Sequence, residues 1–141
     1  MAKSTGLSWT TFSVGDASNA ATDIRNDCTD IQISTPRAVQ DVTGLDKAAN
    51  ERLLLLADYS VTVNGVFNPA GAHLIFSTVA STSVNRAVLL TTNGKNLNMG
   101  ATGAGNGAVI FTDYQVTRAA TGELTTSAPG QLANGAVPTW S

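Results

Sequence analysis

The chain has 141 residues, enough for one domain with its own core, and 43% of them are apolar. Only 13% are charged, the net charge is −2, and the eight basic residues are scattered, which excludes a protein that grips nucleic acid through clustered Lys and Arg. Ser and Thr together number 30; a hydroxyl-rich surface this poor in charge fits either an ordinary Thr-rich β protein or one whose surface is partly covered by neighbouring subunits.

Residues 1–6 lack the apolar core of a signal peptide, so assembly in a cytoplasm is expected. Residues 7–14 read as a first strand anchored by Trp9 and Phe12, and residues 15–26 as a polar loop. Residues 29–34 alternate, with Ile31 and Ile33 on one face and Asp30, Gln32 and Ser34 on the other, and Pro36 ends the run. Residues 35–51 are of mixed polarity and carry Arg37, Gln40, Asp41, Asp46 and Lys47. They read as a long loop or hairpin, and a long excursion from a small domain points to a contact role.

Residues 53–67 carry the strongest strand signal. Leu53, Leu55, Ala57, Tyr59, Val61 and Val63 share one face; Leu54 and Leu56 begin the other, which turns polar at Asp58, Ser60, Thr62 and Asn64. Such a strand starts buried on both sides and ends with one side wet or in an interface. The longest apolar stretch, residues 53–57, is too short to cross a membrane. One short helix follows, with Asn68 as N-cap, Pro69 at its first position and an apolar stripe of Ala72, Ile75, Phe76 and Val79 that leaves His73 toward solvent. Residues 86–92, 108–118 and 122–128 read as strands, residues 93–107 as a Gly/Asn-rich connection, and residues 129–141 as a C-terminal arm ending near Trp140. Asp58-Tyr59-Ser60-Val61-Thr62 is echoed by Asp113-Tyr114-Gln115-Val116-Thr117. If the two strands hold equivalent places, for example side by side in one sheet, Asp58, Ser60, Thr62, Asn64, Asp113, Gln115 and Thr117 line one surface.

No residue set supports catalysis, a metal or a cofactor. His73 is the only histidine and no Gly-x-Ser-x-Gly elbow accompanies it. Cys28 is the only cysteine, which excludes an internal disulfide and, with one histidine, the common zinc sites; it reads as a buried structural thiol. Asp16, Asp23, Asp27 and Asp30 do not match calcium-loop spacing and read as solvated carboxylates. The glycine-rich residues 100–107 lead into a strand and not a helix, so they read as a flexible surface turn and not a phosphate loop.

Several stretches resemble the major tail tube proteins of long-tailed, non-contractile phages that infect actinobacteria. They are residues 31–44 (IQISTPRAVQDVTG), 51–68 (ERLLLLADYSVTVNGVFN), 81–86 (STSVNR), 111–118 (FTDYQVTR), Gly122-Glu123-Leu124 and the close Val137-Pro138-Thr139-Trp140-Ser141. The resemblance implies a single mainly β domain over residues 1–141, a two-sheet β-sandwich with one flanking helix. It also implies hexameric rings stacked into a tube in the virion, through whose lumen double-stranded DNA passes during ejection. Residues 35–51 would then be the loop that joins rings, and the terminal arm would add contacts. The implied partners are further copies of the chain and the tape-measure, tail-terminator and baseplate proteins, with no membrane. Asp58, Ser60, Thr62, Asp113, Gln115 and Thr117 are the expected lumen residues, their acids repelling phosphates; alternatively the aspartates face outward or pair with Arg52 or Arg118. Competing readings are a head decoration or head–tail completion protein, a carbohydrate-binding or adhesin module using Trp9 or Trp140, and a small hydrolase using His73.

Overall fold

A computed structural model describes residues 3–141; Met1 and Ala2, at the start of the stretch read for a leader, lie outside the described residues. In chain order the elements are β1 (Trp9–Gly15), β2 (Ala21–Asp23), β3 (Cys28–Ser34), β4 (Arg37–Asp41), β5 (Arg52–Ala57), β6 (Ser60–Val66), α1 (Ala72–Phe76), β7 (Val88–Thr92), β8 (Lys95–Met99), β9 (Val109–Phe111), β10 (Gln115–Arg118) and β11 (Leu124–Leu132). Every pairing between these strands is antiparallel. The fold is therefore mainly β with one short helix, as expected.

One sheet has the order β2-β1-β7-β8, and a second the order β10-β11-β6-β3 with β9 also on β11. β9 and β10 meet successive stretches of β11, at residues 130–132 and 124–127, so the second sheet is four strands wide. Period-two burial turns one face of each sheet inward. Phe12, Val14, Val88, Leu90, Leu97 and Met99 from the first sheet share a core with Val61, Val63, Val109, Phe111 and Ala128 from the second. The third sheet is the pair β4-β5.

The stripe expected for α1 is buried as Ala72, Ile75 and Phe76, with Val79 packed against the same core. Five residues cannot hold a helix by propensity, and both its ends are held by buried ionisable side chains. Asp27 accepts from Ala72 N at 2.9 Å and from Asn68 Nδ2 at 2.8 Å. Arg86, 1% exposed, donates from Nη1 to Ile75 O (2.6 Å) and Gly15 O (3.2 Å), and from Nη2 to Thr78 Oγ1 (2.9 Å). Burial pulls the Arg86 pKa down, and Asp16 opposes that shift.

Several expectations are corrected. The helix starts at Ala72 after a turn, so Asn68 and Pro69 precede it and Gly71 is the cap. Asp27 is buried rather than solvated. His73 is half-buried, with Nδ1 3.1 Å from the Tyr114 hydroxyl and its ring 4.5 Å from that of Phe67. Residues 15–26 include β2, and residues 93–107 include β8, which the Asn93-Gly94 turn pairs with β7; both turn residues have positive φ, 53° and 76°. The glycine-rich residues 100–107 are pinned and not free: the buried Asn19 donates to Ala101 O at 2.9 Å and Gly103 O at 2.7 Å. Strand β11 runs through Leu132, so the C-terminal arm begins only at residue 133; it ends with Trp140 bridged to Leu97 on the outer edge of β8. Cys28 is half-buried, and burial, with Asp27 and Asp23 adding to it, pushes its thiol up to about 12.

Candidate functional site

Two surfaces carry residues that the core does not explain. The first is the β4–β5 hairpin. Where a long loop or hairpin over residues 35–51 and a strand over residues 53–67 were expected, the chain breaks at Asp58-Tyr59 and folds β5 back on β4. The break is fixed locally: Asp58 Oδ1 accepts from Tyr59 N at 2.8 Å, and Asp58 N donates to Pro36 O at 2.9 Å. Consequently the leucines expected to be buried on both sides are exposed on both sides. Leu54 is 61% and Leu56 86% exposed, Leu53, Leu55, Val39 and Val42 are exposed as well, and Leu45 is fully exposed at the tip.

An isolated two-stranded hairpin is marginal in water, and a patch this apolar on an exposed element makes it a candidate interaction surface. Polar contacts nevertheless give the hairpin a defined shape. Asp41 Oδ1 accepts from Thr43 N (2.9 Å) and Thr43 Oγ1 (2.6 Å), which lowers the Asp41 pKa; Glu51 N donates to Thr43 Oγ1 at 2.7 Å. Lys47 Nζ lies 3.4 Å from Glu51 and 4.0 Å from Asp46. At the base, Arg37 Nε and Nη2 both donate to Leu55 O, at 3.1 and 2.8 Å. Of the expected stacking residues, Arg37 thus stands at the base, Gln40 opposite Leu53 in mid-hairpin, Asp41 opposite Arg52, and Asp46 and Lys47 at the tip.

The second surface is the outer face of the four-strand-wide sheet. Register places Gln115 beside Ser127, Asn64 and Asp30, and Thr117 beside Thr125. Thr62 lies between Pro129 and Gln32, and Ser60 between Gln131 and Ser34. Directly opposite residues point to one side of a sheet, so Ser60, Thr62, Gln115 and Thr117 share a face. The expected 108–118 strand is instead broken between β9 and β10, where Asp113 sits; its Oδ2 accepts from Gln115 Nε2 at 3.0 Å, which brings that carboxylate to the same face. Asp58 stands two residues before Ser60, in the β5–β6 break. The two Asp-Tyr echoes therefore both mark strand breaks, and their strands flank β11 instead of pairing. No register position on this face holds Lys or Arg. Among the described residues the ion pairs are Arg25–Asp23, Lys47–Asp46 and Lys47–Glu51, so Asp58 and Asp113 pair with neither Arg52 nor Arg118.

The sequence reading missed the leucine hairpin as a surface, although the Asp-Tyr echo was the available sign of a chain break. It also left out Thr125, Ser127 and Gln131 of β11, whose alternation with Ala128 and Gly130 was visible. No group of three or more His, Cys, Asp or Glu residues that could hold a metal occurs among the described residues.

The sequence matches no protein-family model and no curated protein. The fold matches solved structures along its whole length. A chain from the virion of a native gene transfer agent (GTA) particle superposes with a TM-score of 0.70 over 99% of both chains, at 14% identity. A chain from the tail of an empty GTA particle, computed with helical refinement and C6 symmetry, superposes with a TM-score of 0.72 over 99% of this chain and 98% of that one, at 16% identity. At such identities the likeness establishes a shared fold.

Proposed function

We propose that this chain is a tail tube protein. Copies join edge to edge into rings of six, rings stack through the β4–β5 hairpin, and the resulting hollow tube conducts DNA out of a phage-like particle. The observation that carries the reading is the whole-length fold match to a chain of a C6-symmetric tail. Two features of this chain support it independently: the leucine hairpin that its own fold leaves uncovered, and a broad sheet face coated with Ser, Thr, Gln and Asn.

The four-strand-wide sheet suits ring closure. Its strands alternate in direction, so β10 and β3, at opposite edges, run antiparallel to each other. In a ring of identically oriented copies, β3 of one and β10 of the next therefore meet as an antiparallel pair, and closure leaves no sheet edge exposed. Six copies of four strands make a barrel of 24 strands. With strands about 4.8 Å apart and tilted by about 40°, its backbone diameter is about 48 Å. Side chains reaching about 5 Å inward leave a lumen of roughly 40 Å, wide enough for duplex DNA.

The lumen surface in this arrangement is the polar outer face, with Asp30 on it, Asp58 and Asp113 at its margins and no Lys or Arg in register. A wall that offers phosphates no cation lets DNA slide. A non-contractile, siphovirus-type tail, contacts with tape-measure, tail-terminator and baseplate proteins, and assembly in the host cytoplasm before residence in the virion complete the proposal.

Negative-stain microscopy of the purified chain tests it. Rings or long tubes with a central channel are expected as concentration rises. A chain that stays monomeric at millimolar concentration, with no rings or tubes, overturns it.

A further inference from the structure

We propose that the hairpin tip of one copy seats in the groove at the hairpin base of a second copy, Leu45 against its apolar wall and Asp46 against Arg37. The inference rests on the tube reading and identifies the receptor for the stacking element.

Both halves of the contact are present in each chain, at opposite ends of one hairpin. At the tip, Leu45 is fully exposed. The next residue, Asp46, has a side chain 81% exposed and touches its nearest cation, Lys47 Nζ, only at 4.0 Å. Lys47 is drawn instead toward Glu51 at 3.4 Å, which leaves the Asp46 carboxylate available. The tip is ordered before docking, because Lys47 N donates to Gly44 O at 3.2 Å and Thr43 ties Asp41 to Glu51.

At the base lies an open groove of about 460 Å³, walled by Leu55, Leu56, Ala57, Val137 and Pro138, with Arg37 and Asp58 as the charged groups of its lining. Two of the Arg37 nitrogens hold Leu55 O, which fixes the guanidinium plane, while Nη1 has no partner among the described residues. The groove thus offers an apolar wall beside an oriented cation, and the tip offers a leucine beside a carboxylate. Arg–carboxylate geometry favours such a fixed fork.

The two halves cannot meet within one chain. Ala57 lies six residues along the hairpin from Glu51, where the tip begins, a separation of about 20 Å at the strand rise. Tip-to-base docking is a heterologous contact, which leaves a free tip at one end and a free groove at the other. Contacts of that kind propagate without closing, as axial growth of a tube requires.

The test is a chain carrying Leu45→Cys and Ala57→Cys together, in a Cys28→Ser background, oxidised during assembly. A disulfide needs Cα atoms within about 7 Å, so a bond between these two positions joins different copies. A ladder of linked species well beyond the dimer on a non-reducing gel is expected, with single-cysteine chains giving dimers at most. Tubes without a ladder overturn the docking and leave the tube reading intact; a wild-type chain without tubes overturns the tube reading and this contact with it. As a second measurement, Asp46→Asn should raise the concentration needed for assembly about tenfold; assembly at the wild-type concentration overturns the pairing.

Discussion

Replacing Leu54 and Leu56 with Ser probes the hairpin where its exposure is hardest to explain. These two leucines are 61% and 86% exposed, one residue apart on the same side of β5. Fully burying a leucine contributes about 2 kcal/mol, so covering what these two leave open contributes about 3 kcal/mol per copy. If another copy supplies the cover, the double variant needs a concentration roughly 100-fold higher to assemble, because each 1.4 kcal/mol is a factor of ten. The folded monomer should hardly notice, since exposed substitutions fall within about 0.5 kcal/mol. Pelleting of assembled material across a concentration series reads the first quantity, and thermal unfolding of the unassembled chain reads the second. Tubes forming at the wild-type concentration would refute the argument. So would a monomer that melts many degrees lower, because the leucines would then already be covered within the chain.

Other consequences follow from the core and the polar face. Arg86→Met removes the donors of three hydrogen bonds, two of them buried, and should destabilise the fold by about 3–5 kcal/mol, read as a lowered urea midpoint. Tyr59→Phe should act oppositely: the buried Tyr59 hydroxyl has no hydrogen-bond partner among the described residues, so its removal should raise stability by about 1 kcal/mol in the same assay. For Cys28 the folded pKa lies above the unfolded one, so its contribution is full below the unfolded thiol value of about 8.5 and is lost as pH rises toward the folded value of about 12. Stability should therefore decline through the alkaline range in the wild type and decline less in Cys28→Ser, as urea midpoints at pH 8 and pH 10.5 would show. Asp58→Lys with Asp113→Lys should slow DNA ejection from assembled particles; unchanged ejection kinetics would remove these aspartates from the lumen.

Much of the architecture was legible because short-range patterns carry it. The alternation in residues 29–34 became β3 with its polar side outward, the stripe Ala72, Ile75, Phe76 became the buried side of α1, and Ser60 and Thr62 fell on the exposed side of β6. The Asn93-Gly94 turn was equally local, and its φ requirements would have revealed the β7–β8 hairpin. The ends of α1 were not legible. Asp27 reaches the helix across 45 positions and Arg86 reaches Gly15 across 71, separations that no periodicity reports.

The run Leu53 to Leu56 marks the boundary between what the sequence determined and what only tertiary structure decided. Four consecutive leucines state that both sides of a strand avoid water, and the sequence is sufficient for that. It does not state whose atoms provide the cover, because hydrophobic burial depends on area removed from water and not on which chain removes it. That was decided by the break at Asp58-Tyr59, which swings β5 away from the core and onto β4. The same apolar residues that would have filled the interior of a monomer are thereby left exposed on the surface of the chain.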